Sequence, residues 1–353
     1  MKKLAYMAIA FMFVFAALQV PSVLGESASK ITKIPLRYSD HIPGHVGGNV
    51  FIKNVYLPRI KEQLAEIGYE LDITFYHSES LYKYSDQVQA CDQGLIDMTV
   101  AVMPYELFRA PLHEVMGFGF MGWDGPTMNR VWASLDENIP EFRNELGKSF
   151  VEIFRFIPTR MLVHHNREGA RVPADFKGIK IHSSGSNADM FKSIGAVPIR
   201  QNPGDWYTSL DRGLFDGIAV AFDMVAILKL YEVLKYHVLP FGDGFGFTPV
   251  THLFNRKKFE SLPTGVQKVL LDNVAWASET ITVHEREVNL PGYQKGARQK
   301  GNTFYELTPE ETEKWRAVFE PIHQAWIEKM EKKGLAARKV YNEALRLVKE
   351  FTK

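Results

Sequence analysis

The strongest constraint on this chain is an alternation of helical and strand periods joined by short connections. In "VFIKNVYLPRIKEQLAEIG", Phe51, Val55, Ile60, Leu64 and Ile67 fall near one helical stripe, with Pro58 expected to kink or split the helix. "LDITFY" then places Leu71, Ile73 and Phe75 on one face of a strand, and "SDQVQACDQGLIDMTVAV" reads as helix, Gly turn and strand. Such strand–helix–strand units build a mostly parallel sheet. A second run of this kind starts near Phe154 and holds "RMLVHH", "FKGIKIHSS", the helix "SNADMFKSIG" and "VPIR". It ends in "GDWYTSLDRGLFDGIAVAF", with Asp205 as candidate N-cap. "DQGLIDMTVA" and "DRGLFDGIAVA" echo each other, which predicts one supersecondary unit used once in each of two α/β lobes.

The rest of the chain is helical. Thr308, Pro309 and Glu311 form a capping box, followed at amphipathic spacing by Trp315, Val318, Phe319, Ile322 and Trp326, with a bend expected at Pro321. "ARKVYNEALRLVKEF" closes the chain as a second amphipathic helix. No low-complexity segment or long linker interrupts the pattern, so the lobes are expected to be joined by crossing strands.

The opening "MKKLAYMAIAFMFVFAALQVPSVLG" has a basic start at Lys2 and Lys3, an apolar run and small residues at Val23 and Gly25, the pattern of a cleaved export signal. With those two of the 42 basic residues set aside, 40 basic face 41 acidic residues, which gives no electrostatic reason to expect nucleic acid or an anionic membrane as partner. Cys91 is the single cysteine, so no intramolecular disulfide forms and packing must supply the stability. Its helical setting suits a small buried hydrophobe.

Catalytic signatures are weak or absent. "GFGFMG", Gly117 to Gly122, matches a dinucleotide fingerprint by letter but lacks the preceding strand and following helix that phosphate binding needs. There is no P-loop, nucleophile elbow, zincin motif or paired-cysteine spacing. His41 and His45 flank Pro43-Gly44, and adjacent His164 and His165 would face opposite sides of a strand, so neither pair makes a metal set. No enzyme activity, metal or cofactor is expected.

The stretch from Val172 to Tyr236 carries a resemblance. It supplies Lys177-Gly178-Ile179-Lys180-Ile181, Gly195-Ala196-Val197-Pro198, Tyr207, Gly213, Asp216-Gly217 and Tyr231-Glu232-Val233-x-Lys235-Tyr236, and "LFNRKKFESLP" follows later. Together these resemble the substrate-binding proteins of TRAP (tripartite ATP-independent periplasmic) transporters. The resemblance implies an α/β, two-lobed periplasmic-binding-protein-like fold with a central cleft, hinge strands and a long bracing helix. On that pattern 1–25 is the signal peptide, 26–157 with 246–280 the first lobe, 158–245 the second lobe, and 281–353 the bracing C-terminal helices. It further implies a periplasmic monomer that closes on a small organic anion and hands it to a membrane permease.

At the end of the Lys-Gly-Ile-Lys-Ile strand the family places an arginine that pairs with the cargo carboxylate, and this chain has His182. Three readings stay open. A neighbouring arginine holds the anion, Arg160 matching a second family position and Arg200 lying two residues after Pro198. Alternatively His182 itself donates, with a pH-dependent contribution, to a carboxylate, sulfonate or carbonyl oxygen. In the third reading the ligand has no carboxylate and is an amine or a neutral solute. Trp206 and Phe222 are candidate stacking partners, Asn202 a polar contact, and the first lobe is expected to contribute His41 and the loop from Glu79 to Tyr82.

Overall fold

The computed structural model describes residues 31–352 except 46 and 243, so the signal segment lies outside the described residues. Strands β1 (Thr32–Ser39), β2 (Tyr69–Tyr76), β3 (Met98–Val102), β4 (Phe150–Phe156) and β10 (Val250–Asn255) form a sheet in the order β2-β1-β3-β10-β4. Strands β5 (Met161–His165), β6 (Lys180–His182), β7 (Val197–Ile199), β8 (Gly217–Ala221), β9 (Tyr236–Leu239) and β11 (Thr303–Glu306) form another, ordered β11-β9-β5-β8-β6-β7. β1 runs parallel to β2 and β3, and β6 runs parallel to β7 and β8. β10 and β5 are antiparallel insertions in their sheets. The chain passes between the sheets at 157–160, at 240–249 and along the helical stretch 274–299.

The echoed segments fold alike. The helices Tyr84–Asp92 and Trp206–Asp211 each end on a glycine in the left-handed region, Gly94 at φ 75° and Gly213 at φ 67°, where a side chain would be strained. Both close with the same bond pair: Gly94 N–H to Cys91 and Leu95 N–H to Ala90, Gly213 N–H to Leu210 and Leu214 N–H to Ser209. The aspartate that follows pins the adjacent parallel strand. Asp97 accepts the Arg37 N–H at 2.8 Å, and Asp216 accepts the Lys180 N–H at 2.9 Å.

Pro58 does not split its helix. The backbone runs from Gly48–Phe51 through a π-helical stretch, Ile52–Tyr56, into Leu57–Ala65. The same happens at Glu285–Asn289, before Leu290-Pro291. Each widened turn ends at a leucine followed by proline. The wider turn relieves the clash between the proline ring and the carbonyl of the preceding turn.

The helix Pro309–Glu331 carries the predicted capping box and runs unbroken through Pro321. Its Trp315 and Phe319 join the core around Phe176, Phe191 and Phe245, against the β5 sheet. Further along, Trp326, Ile327 and Met330 join a different core around Trp132 and Phe142. "GFGFMG" is packing: Phe118 stacks on His323 at 4.4 Å, and Phe120 meets Phe319 at 5.2 Å. Cys91 is fully buried, and burial pushes its thiol up to about 12.

Candidate functional site

In parallel α/β sheets ligands lie beyond the carboxyl ends of strands, and the cleft between the two sheets obeys this rule. One wall comes from the ends of β1 and β3 with β10 (Tyr38, Asp40, His41, Val102, Tyr105, His252), the other from the ends of β6 and β8 (His182, Ser184, Ala221, Asp223) with Trp206. The cleft encloses about 970 Å³ of empty space, the open solvent at its mouth included.

His182 sits at the contact between the walls. The Gln201 N–H donates to its Nδ1 at 3.3 Å, which leaves the proton on Nε2, directed at the Tyr105 hydroxyl 3.2 Å away. Trp206 lies against the His182 ring, with centroids 4.7 Å apart, and its indole N–H donates to the Gln201 carbonyl at 3.2 Å. Desolvation, with the Arg200 charge nearby, lowers His182 to about 4, so the ring is neutral at pH 7. Burial also lowers His41 to about 4 and His252 to about 3.

The predicted residues divide between two cavities. Met161 of β5 faces this cleft, whereas Arg160 and Leu162 face a second cavity shared with Asp124, Arg286 and Phe222. Pro158 lines both, so the 157–160 crossing is the wall between them. There the Arg160 guanidinium donates to the Gly242 carbonyl. Phe222 packs on His164, His237 and Phe304 on that far side.

Arg200 lies on the cleft side. Its guanidinium stands over the Tyr105 ring, 5.2 Å from the centroid. His41, His182 and Trp206 line the cleft itself. Glu79 is engaged elsewhere: it accepts the Tyr84 N–H at 3.0 Å at a helix start and pairs with Lys83 at 3.4 Å. Tyr82 packs against the core around Val88 and Cys91, and Asn202 is exposed at the turn before Pro203–Asp205.

Sequence reasoning missed Tyr105, Tyr84, Asp40, Asp223 and Asn187, all of which line the cleft. The rule of carboxyl strand ends, applied to β1, β3 and β8, would have nominated the first residues after each.

Among known proteins, the model of the bacterial extracellular solute-binding proteins, family 7, matches residues 53–330. The C4-dicarboxylate-binding periplasmic protein DctP of Rhodobacter capsulatus is 24% identical over 289 residues, covering 79% of this chain and 84% of that one. A marine metagenome TRAP solute-binding protein specific for aromatic acid ligands, solved with 3-hydroxybenzoate, superposes with a TM-score of 0.83 at 21% identity, covering 91% of this chain and 100% of that one. A TRAP solute-binding protein from Rhodoferax ferrireducens, in complex with benzoate, gives a TM-score of 0.81 at 17% identity over 90% and 98% of the chains. The two-lobed architecture of these structures is the fold of this chain.

Proposed function

The chain belongs to the bacterial extracellular solute-binding proteins of family 7, and from that premise we propose that its cargo is a small aromatic organic acid. The protein is a solute-binding receptor of the TRAP type and not an enzyme. In this reading it is exported with its leader removed near Gly25, works as a monomer and delivers cargo to an ion-gradient-driven permease. The observation that carries the cargo class is the cleft lining: Tyr38, Tyr84, Tyr105, Phe156 and Trp206 supply ring surface from both walls. That relatives of the same fold were solved with 3-hydroxybenzoate and benzoate supports the choice.

The acid group is assigned to the end of the cleft bounded by His182 Nε2–H, Ser184 and Tyr105, with Arg200 above Tyr105 as the nearby positive charge. A ligand that touches both walls favours the closed arrangement over the open one, which is the event a permease can read. Calorimetric titration of the mature protein with 3-hydroxybenzoate, benzoate and malate tests this. Saturable binding of an aromatic acid, recovered chemically unchanged after denaturation, is expected. Malate as the only binder would overturn the aromatic assignment, and an altered ligand would overturn the receptor reading.

A further inference from the structure

The charges in the cleft do not fit a simple anion. Among the described residues, none that lines it is lysine or arginine, and its histidines are neutral by burial. Two carboxyl groups do line it, Asp40 and Asp223, among ring faces that are themselves electronegative. Asp40 is already partnered, with His77 Nδ1 3.1 Å away. Asp223 is not. It is 3% exposed, its Oδ1 accepts the neighbouring Met224 N–H at 2.9 Å with the Thr159 hydroxyl beside it, and among the described residues it forms no ion pair with a cationic side chain. Buried Glu285 stands near enough to add its repulsion, and desolvation together with that neighbour raises the Asp223 carboxyl to about 7.

A buried, unpaired carboxyl is costly unless a positive group arrives to share it. A second observation points the same way. Asn187, 6% exposed, lines the cleft with an Oδ1 that no donor within the described structure satisfies. Amide oxygens accept hydrogen bonds and so suit an N–H of the ligand rather than its carboxylate.

We propose that the cargo carries a cationic nitrogen in addition to its acid group, and that Asp223, with Asn187 Oδ1 as a further acceptor, forms the subsite for that nitrogen. This rests on the receptor reading above and narrows its substrate class to aromatic acids that also carry an alkylammonium group. The ammonium brings Asp223 the counter-charge that the protein omits, so an amine and not a hydroxyl is selected at that wall.

The test is calorimetry on the mature protein with 3-(aminomethyl)benzoate against 3-hydroxybenzoate, a zwitterion and an acid of similar shape. The zwitterion is expected to bind at least tenfold more tightly, and Asp223→Asn, which keeps the side chain's shape, to bring that ratio close to one. The comparison on unaltered protein stands whether or not the variant folds. Equal or tighter binding of 3-hydroxybenzoate overturns the ammonium subsite while leaving the organic-acid receptor intact. A preference that survives Asp223→Asn assigns the nitrogen elsewhere and also overturns it. Failure of both compounds to bind overturns the aromatic-acid reading together with this one.

Discussion

His182 replaces a guanidinium with a neutral ring that spends its single proton on Tyr105 across the cleft. The positive charge is thereby moved off the strand end and out to Arg200, which is exposed, stands over the Tyr105 ring and lies near the Glu106 carboxylate. An exposed cation acts through solvent, so its contribution is modest. Arg200→Ala is expected to weaken 3-hydroxybenzoate binding by about three- to tenfold in calorimetry, in line with a contribution of about 1 kcal/mol. Arg160→Ala is expected to change it by less than about twofold, because that side chain faces the other cavity. The reverse order of effects would return the anion contact to Arg160. The sequence favoured Arg160, on its family position, over Arg200. Arg160 lies just before β5 and lines the second cavity while Met161 lines the cleft, an arrangement fixed only when β5 pairs with β8 and β9.

At the scale of elements, two features control stability. Gly246 lies in the crossing from β9 to β10 at φ 97°, and a Cβ there would stand 2.2 Å from the Gly117 carbonyl oxygen. Backbone cannot yield as a flexible side chain can. Gly246→Ala should therefore cost several kcal/mol, about 3 or more, seen as a large fall in melting temperature. An unchanged melting temperature would mean that the two segments are not so closely apposed. The second feature is the histidine row of the β5 sheet. His164 and His237 share a hydrogen bond at 2.8 Å, and His237 Nε2–H donates to Asn302 at 2.7 Å. Burial lowers His165 and His237 to about 4 from an ordinary value of 6.5, because the charged ring is disfavoured inside. The unfolded chain then binds more protons than the folded one between those values. Stability is full above pH 6.5, falls as pH drops towards 4 and loses no more from these rings below that, at most about 3 kcal/mol for each ring. Melting temperatures measured from pH 7.5 to 4 should decline through this window, and replacing His237 with Gln should flatten the decline. The repeated helix–glycine–aspartate unit, by contrast, was readable in the sequence. Its glycine and aspartate act on residues a few positions away or on the adjacent parallel strand.

At the scale of the molecule, the cleft walls belong to different sheets and meet in the contact of Tyr105 with His182. Such a contact forms only when the walls approach, so it belongs to the closed arrangement. Tyr105→Phe deletes the hydroxyl and should cost about 1 kcal/mol of closure, which is roughly a fivefold loss of apparent affinity. Small-angle scattering with 3-hydroxybenzoate at saturation checks it: the variant should need more ligand to reach the same compact radius. A variant that closes and binds as the unaltered protein does would remove this bond from the closing mechanism. The long helix Pro309–Glu331 limits how far the halves can separate, since its two ends are set in different cores.

By itself the sequence determined the local elements, the reuse of one helix–turn–strand unit, the Thr308 capping box, and the two-lobed class with its receptor role. These follow from periodicity, from side chains that bond within a few residues, and from a run of motif residues in one contiguous stretch. Only the tertiary structure decided which side chains share the cleft. Tyr105, His182 and Asp223 come from separate stretches of the chain, and their meeting depends on sheet register and on the approach of two walls. No local period carries that information, because a strand reads the same whichever of its faces the second lobe comes to cover.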